Sequence, residues 1–199
     1  MSPVIPSPLL LETIKIDKGK VENLSYHQQR CDRSRQILFN ATDTLELLPH
    51  IKAPSTDLYR CRILYGKTLH SIEYIPYTPK EIHALKIVPS TLDYALKYAD
   101  RDDLNTLLEA HPDVDDVIIE KEGHLSDTSI ANIAFYNGTQ WFTPKKPLLQ
   151  GTMRAKLIEE GFLHTEDISK ADLHKYTHLA LMNAMIGFKV LNIDPSQIR

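Results

Sequence analysis

The chain has 199 residues, 42% of them apolar, and 26 acidic against 23 basic side chains leave a net charge of −3. That length buries a real core, in one large domain or two small ones. Lys and Arg are scattered among the acids, without the basic stripe of a nucleic-acid binder.

The opening MSPVIPSPLLLETIKI has no positive region and no long apolar stretch, so it does not read as a secretory signal. LLLETIKI and KVENL flank Asp17-Lys18-Gly19, a hairpin turn in which Gly19 supplies the permissive backbone. A helix is predicted from Tyr26 to about Phe39 and a second, short one from Thr42 to about Leu48. YRCRILYG and HSIEYIPY alternate like two strands around Gly66-Lys67. Cys31 and Cys61 are too few for a disulfide framework and match no zinc spacing; they read as buried, reduced thiols of a cytosolic protein. Pro76 and Pro79 bracket a linker, since proline breaks helix and central strand alike, so a small domain over 1–78 is expected to precede a larger one over 79–199.

The second half starts with the strand-like IHALKIV, then ALKYADRDDLNTLLEAH, a turn and a helix ending at His111. DDVIIEKEGHLSD reads as a hairpin around Glu122-Gly123, and NIAFYNGTQWFTP as another around Asn137-Gly138. A helix opens near Gly151-Thr152 and runs to about Glu160. YTHLALMNAMIGFKVLNI looks like two buried strands interrupted at Asn183, with an apolar run far too short for a membrane span. Strands arriving as hairpins, not alternating with helices, argue for an α+β fold over a doubly wound parallel sheet.

Single residues carry little chemistry alone. The helix opening at Gly151-Thr152-Met153-Arg154 points free N–H groups outward at the positive end of a dipole, where phosphate binds, yet every helix has such an end. Asp127 in LSDTS is either a turn cap or a buried carboxylate with a cationic partner. Lys97, between Leu96 and Tyr98, would become a nucleophile or base if desolvation lowered its pKa, but composition does not single it out. His174 and His178, near Asp172, are four apart without a metal-binding motif around them, so no metal site is expected.

Taken in order, these segments resemble the class IV aminotransferases, a family that includes branched-chain and D-amino-acid aminotransferases and 4-amino-4-deoxychorismate lyases. LETIKI with DKGKV looks like the family's opening hairpin without its glycine-rich lead, and YHQQRCDRS is similar to the segment whose arginine grips the cofactor phosphate, here Arg30. YRCRILYG resembles a strand whose arginine lies near the substrate carboxylate in some members, here Arg60. DYALKYADR is similar to the segment around the Schiff-base lysine, here Lys97; the LKxxxR form with Arg101 looks more like the lyases, and Asp102 stands where branched-chain enzymes have tyrosine. LSDTSIANIAFYNGTQWFTP resembles the segment whose glutamate meets the pyridine nitrogen, with Asp127 in its place and Asn132 five later. LLQGTMR resembles the phosphate-cradling turn, giving Gly151, Thr152 and Met153, and LMNAMIGF places Asn183-Ala184 as a further phosphate contact.

The resemblance implies a two-domain fold-type IV enzyme, D-amino-acid aminotransferase-like, with a small N-terminal α/β domain and a larger C-terminal pseudo-barrel. It implies pyridoxal 5'-phosphate as cofactor on Lys97, Arg60, Arg101 and Thr13 as substrate contacts, a small amino substrate and a homodimer, while the opening segment and the short apolar run are read as those of a cytoplasmic protein without a membrane span. Transamination between an amino acid and a 2-oxo acid is the first expectation. Pyruvate elimination from 4-amino-4-deoxychorismate to give 4-aminobenzoate is the second, and a member that no longer catalyses the third.

Overall fold

The computed structural model describes residues 8–198. The first seven residues of the opening segment that bears on a secretory signal lie outside them. Among the described residues no helix is long and apolar enough to cross a membrane. The architecture is mixed α+β and falls into two compact units. One takes the chain up to Thr78 together with Leu96–Arg101, the other Pro79–Ala95 with the chain from Asp102 onward.

The first unit is a four-stranded antiparallel sheet in the order β2-β1-β3-β4, built from β1 (Leu10–Asp17), β2 (Lys20–Val21), β3 (Leu58–Tyr65) and β4 (Leu69–Pro76). Its apolar residues alternate, so Leu10, Ile14 and Ile16 of β1 and Cys61, Ile63 and Tyr65 of β3 share one buried cluster. Helix α1 (Leu24–Phe39) adds Cys31 to that cluster and also buries His27, Ser34 and Arg35, at the spacing of one helix face. The expected opening hairpin forms, but β2 is only two residues long and β1 pairs along its whole length with β3.

The helix expected over Thr42–Leu48 does not form; a 3-10 turn at Leu48–His50 stands after it. Side chains of α1 take the backbone groups such a helix would have used. Arg35 donates to Asp43 O at 2.8 Å, and Gln28 bonds Leu45 O at 2.9 Å and Leu47 N–H at 2.8 Å.

Residues 96–101 join this unit through backbone pairing with β1: Leu10 bridges Tyr98, Leu11 N–H donates to Lys97 O at 2.8 Å and Ala99 N–H to Leu9 O at 2.9 Å. Leu96 and Tyr98 then pack on the same core as α1.

The second unit holds an eight-stranded sheet. Its main path runs β10-β9-β8-β7-β6-β5, and β11 with β12 attaches along the other edge of β8. The strands are β5 (Leu85–Pro89), β6 (Asp116–Lys121), β7 (His124–Thr128), β8 (Asn132–Tyr136), β9 (Trp141–Pro144), β10 (Leu163–Glu166), β11 (His178–Asn183) and β12 (Gly187–Leu191). The hairpins at Glu122-Gly123 and Asn137-Gly138 form as expected, and Asn137 Oδ1 accepts from both Thr139 and Gln140 N–H to close the second.

Two connections are not hairpins. Helix α2 (Asp102–Glu109) lies between β5 and β6, and α3 (Thr152–Glu159) between β9 and β10; both strand pairs are parallel. Parallel strands need such a crossover. The final strand pair also differs from expectation: β11 is buried, but β12, paired only with β11 among the described residues, is largely half-buried with Val190 exposed.

Candidate active site

Glu12 holds an inward position on β1 and is completely buried. Arg30, one helical turn past His27 on α1, grips it with two bonds, Nε to Oε1 at 2.8 Å and Nη2 to Oε2 at 2.5 Å. His27 Nδ1 lies 2.6 Å from the same Oε2. Burial alone would raise the Glu12 pKa, but the charge and hydrogen bonds of Arg30, with those of His27, hold it down to about 2. Burial keeps His27 below its ordinary value and therefore neutral.

Lys97 sits on the segment paired to the start of β1. The residue as a whole is half-buried. Its ammonium is deep enough that burial, aided by the Arg30 and Arg101 charges and opposed by Glu12, pulls its pKa from 10.5 down to about 7. A lysine in that range is in large part a free amine at neutral pH.

The other first-unit candidates lie on the sheet. Thr13 on β1 stands opposite Arg62, and Arg60 on β3 opposite Lys15, while the Arg60 Nε is buried with no hydrogen-bond partner. Cys31 and Cys61 are both buried free thiols, pushed by burial up to about 12 and about 11, too high for nucleophiles.

In the second unit, Asp127 is the last residue but one of β7, with 3% of its surface exposed. The turn-cap role falls instead to Thr128, whose Oγ1 accepts from Ala131 N–H at 3.1 Å. Asp127 Oδ1 accepts from Asn132 Nδ2 and Oδ2 from Leu149 N–H, each at 2.8 Å, while Asn132 also donates to Leu149 O at 2.8 Å. Even so, burial pushes the Asp127 carboxyl up to about 7. Gly151 caps the start of α3, and a Cβ there would run into Asn132 Oδ1, so only glycine allows this approach.

Thr152 and Met153 form the first turn of α3, Thr152 buried and Met153 packed against Ala134, Leu163 and Met182. Arg154 fixes that turn to β9 through Pro144 O at 2.9 Å. Asn183 opens the β11–β12 turn, accepting from Met185 and Ile186 N–H and donating to Ile130 O at 3.1 Å; Ala184 follows it in the turn. His174 and His178 lie apart, in a 3-10 helix and on β11, and their Nδ1 atoms face Ala171 O and Thr177 Oγ1.

Within the first unit the fold thus brings together Lys97 and Arg30, and within the second Asp127, Asn132 and Gly151. Glu12 and His27 escape a reading by motif. One signal was present: Leu10, Glu12, Ile14 and Ile16 share the inward parity of one strand, and a carboxylate at such a position demands a buried partner.

Residues 9–193 match the family model described as amino-transferase class IV. An uncharacterised protein of Haemophilus influenzae is 35% identical over 184 residues, 89% of this chain and 98% of that protein. A crystal structure from Haemophilus somnus, which carries the provisional name 4-amino-4-deoxychorismate lyase, has a TM-score of 0.83 at 36% identity and covers 92% of this chain and 99% of its own. A hypothetical aminotransferase from Mycobacterium tuberculosis, in its PLP-bound form, has a TM-score of 0.75 at 16% identity over 96% of this chain and 85% of its own; at that identity the likeness is one of fold.

Proposed function

The chain belongs to the class IV aminotransferase family, whose members are pyridoxal-phosphate-dependent transaminases and lyases, and we propose that Lys97 is the residue through which this member binds the cofactor and moves protons. The observation that carries the reading is the Lys97 amine, brought close to neutrality by burial beside Arg30. An amine must lose its proton before it can attack an aldehyde, and a lysine with a pKa of about 7 is in part already free amine at neutral pH.

The residues present fit pyridoxal 5'-phosphate by their chemistry. Asp127 is a buried carboxylate with lone pairs beyond the two bonds it already accepts, so a cationic ring N–H would restore its charge. Its side chain is one methylene shorter than the family's usual glutamate, and Asn132 and Leu149 hold it in place. Within the second unit, Gly151, Thr152 and Met153 would present the N–H groups of a helix start to a phosphate, with Asn183-Ala184 as a further contact, and Arg30 of the first unit is the phosphate arginine that the family resemblance implies. Met153 contributes through its backbone, since its side chain belongs to the apolar cluster. Glu12 already takes two of the five Arg30 N–H donors, so Arg30 meets a phosphate as part of an ion pair.

When bound, the cofactor supplies an aldehyde for the lysine and a ring that takes up the electron pair released at the substrate carbon. Lys97 would be the group that takes a proton from the substrate carbon and returns one, and its near-neutral pKa suits it to both directions. Arg60, Arg101 and Thr13 are the candidates to orient the substrate. By family likeness the working enzyme is a homodimer.

Transamination between an amino acid and a 2-oxo acid is the first reading. Pyruvate elimination from 4-amino-4-deoxychorismate is the second, favoured by the name of the 36%-identical Haemophilus somnus protein. The cofactor assignment is tested by borohydride reduction followed by peptide mass spectrometry, which should find the pyridoxyl group on Lys97. Should Lys97→Ala keep the same absorbance spectrum and the same reducible adduct, the assignment fails. Incubation with 4-amino-4-deoxychorismate, and separately with amino acid and 2-oxo acid pairs, separates the two reactions; product from neither would point to a member that no longer catalyses.

A further inference from the structure

On the α1 side of β1, Leu10, Ile14 and Ile16 are fully buried aliphatic residues, and Glu12 is buried just as completely among them. A lone carboxylate there is strongly disfavoured. Its partners are therefore informative, and beyond its pairing with Arg30 neither it nor His27 has a part in the chemistry described above. Arg30 meets it as a two-pronged fork at 2.8 and 2.5 Å, a geometry that fixes the guanidinium plane. His27, neutral and equally buried, adds a 2.6 Å contact to Oε2. With its proton on Nδ1 it donates to the carboxylate without adding charge, so it holds Glu12 in orientation only.

The backbone sets this cluster beside Lys97, because Leu11, next to Glu12, donates its N–H to Lys97 O at 2.8 Å. Around the Lys97 amine stand two permanent cations, Arg30 and Arg101, and Glu12 as the anion that opposes them. His27 on α1 also faces it, uncharged. Cys31 on α1 and Tyr65 on β3, the other titratable groups that face Glu12, are pushed up by burial and stay neutral.

We propose that Glu12 is a positioning residue of the active site: clamped by His27 and Arg30, it fixes the Arg30 fork and supplies the negative charge against which Lys97 holds its proton. The inference rests on Lys97 being the working amine, but its test does not depend on the cofactor. The full cofactor-free chain is treated with acetic anhydride across a pH series, and acetylation of the Lys97 peptide is read by mass spectrometry to give the midpoint of its titration.

In the wild type that midpoint is expected near 7. Glu12→Gln removes the anion and should lower it by roughly one unit. Glu12→Asp keeps the charge and should stay close to wild type. Arg30→Gln should raise the midpoint, and the double variant Glu12→Gln/Arg30→Gln should fall below Arg30→Gln alone. Because breaking one side of a buried pair can unfold a protein, that second comparison reads the Glu12 effect in a background without the ion pair. A Glu12 that served only the fold would lower the melting temperature of both its variants without separating their midpoints. Equal midpoints with and without the Glu12 charge, in either background that folds, overturn the inference. Absence of a reducible adduct on wild-type Lys97 would instead sink the cofactor reading while leaving this result standing.

Discussion

Asp127 is a carboxylate with both oxygens bonded, by Asn132 and Leu149, and yet its pKa is pushed up to about 7. Neutral donors, even with the Arg154 charge nearby, do not replace the water that burial removes. Between about pH 4 and 7 the unfolded chain has released a proton that the folded chain still holds, so the Asp127 contribution to stability falls as pH rises through that window. Asp127→Asn should abolish this slope, read as the difference between wild-type and variant urea-unfolding free energies at steps from pH 4 to 7. His27 titrates in both proteins and drops out of the difference. A constant difference across the window would show that Asp127 ionises normally in the fold. Glu12 behaves in the opposite way: its lowered pKa lends stability above about pH 4.5 that is lost as pH falls toward 2. Asp127 was legible as a motif residue, whereas its burial and the hand-over of the capping role to Thr128 were not, because LSDTS reads alike in an exposed turn and a buried one.

At the scale of elements, the segment 96–101 is held by a strand distant from it in sequence. Lys97 lies between β5 and α2 in sequence but is held by a short backbone ladder to β1. Ala99→Pro removes the N–H that donates to Leu9 O and cannot be replaced within the ladder. The expected result is a Lys97 whose acetylation midpoint moves from about 7 back toward 10.5, by at least about one unit, in a protein whose far-ultraviolet circular dichroism is unchanged. An unaltered midpoint would mean that the ladder does not hold the amine in its buried place. The strands and α1 were readable because alternation and helical spacing are local patterns. The missing helix at Thr42–Leu48 was not, since Arg35 and Gln28 reach that backbone from another element.

For the molecule as a whole, each unit carries large apolar side chains in water: Ile37 at 57% and Leu48 at 58% exposure in the first, Phe162 at 44% and Val190 at 46% in the second. Scattered exposed residues are ordinary, and clusters mark contact surfaces. The homodimer proposed from family likeness should appear as twice the 22.7 kDa chain mass in gel filtration with light scattering at micromolar concentration. A species at the single-chain mass would remove that part of the reading. Ile37→Glu and Leu48→Glu, each made singly, should shift that mass toward 22.7 kDa if the exposed side chain lies in the contact.

The sequence by itself determined the family, the α+β class, most strands, their hairpin turns and the identity of Lys97, Arg30, Asp127 and Gly151 as the positions of interest. These depend on residue type in order along the chain, which needs no third dimension. The tertiary structure alone decided what each of them experiences. Glu12 and His27 became visible only when β1 and α1 were laid together, and the near-neutral amine of Lys97 and carboxyl of Asp127 followed from burial. Desolvation and charge act through distance in space, and residues 12, 30 and 97 are neighbours there and nowhere else.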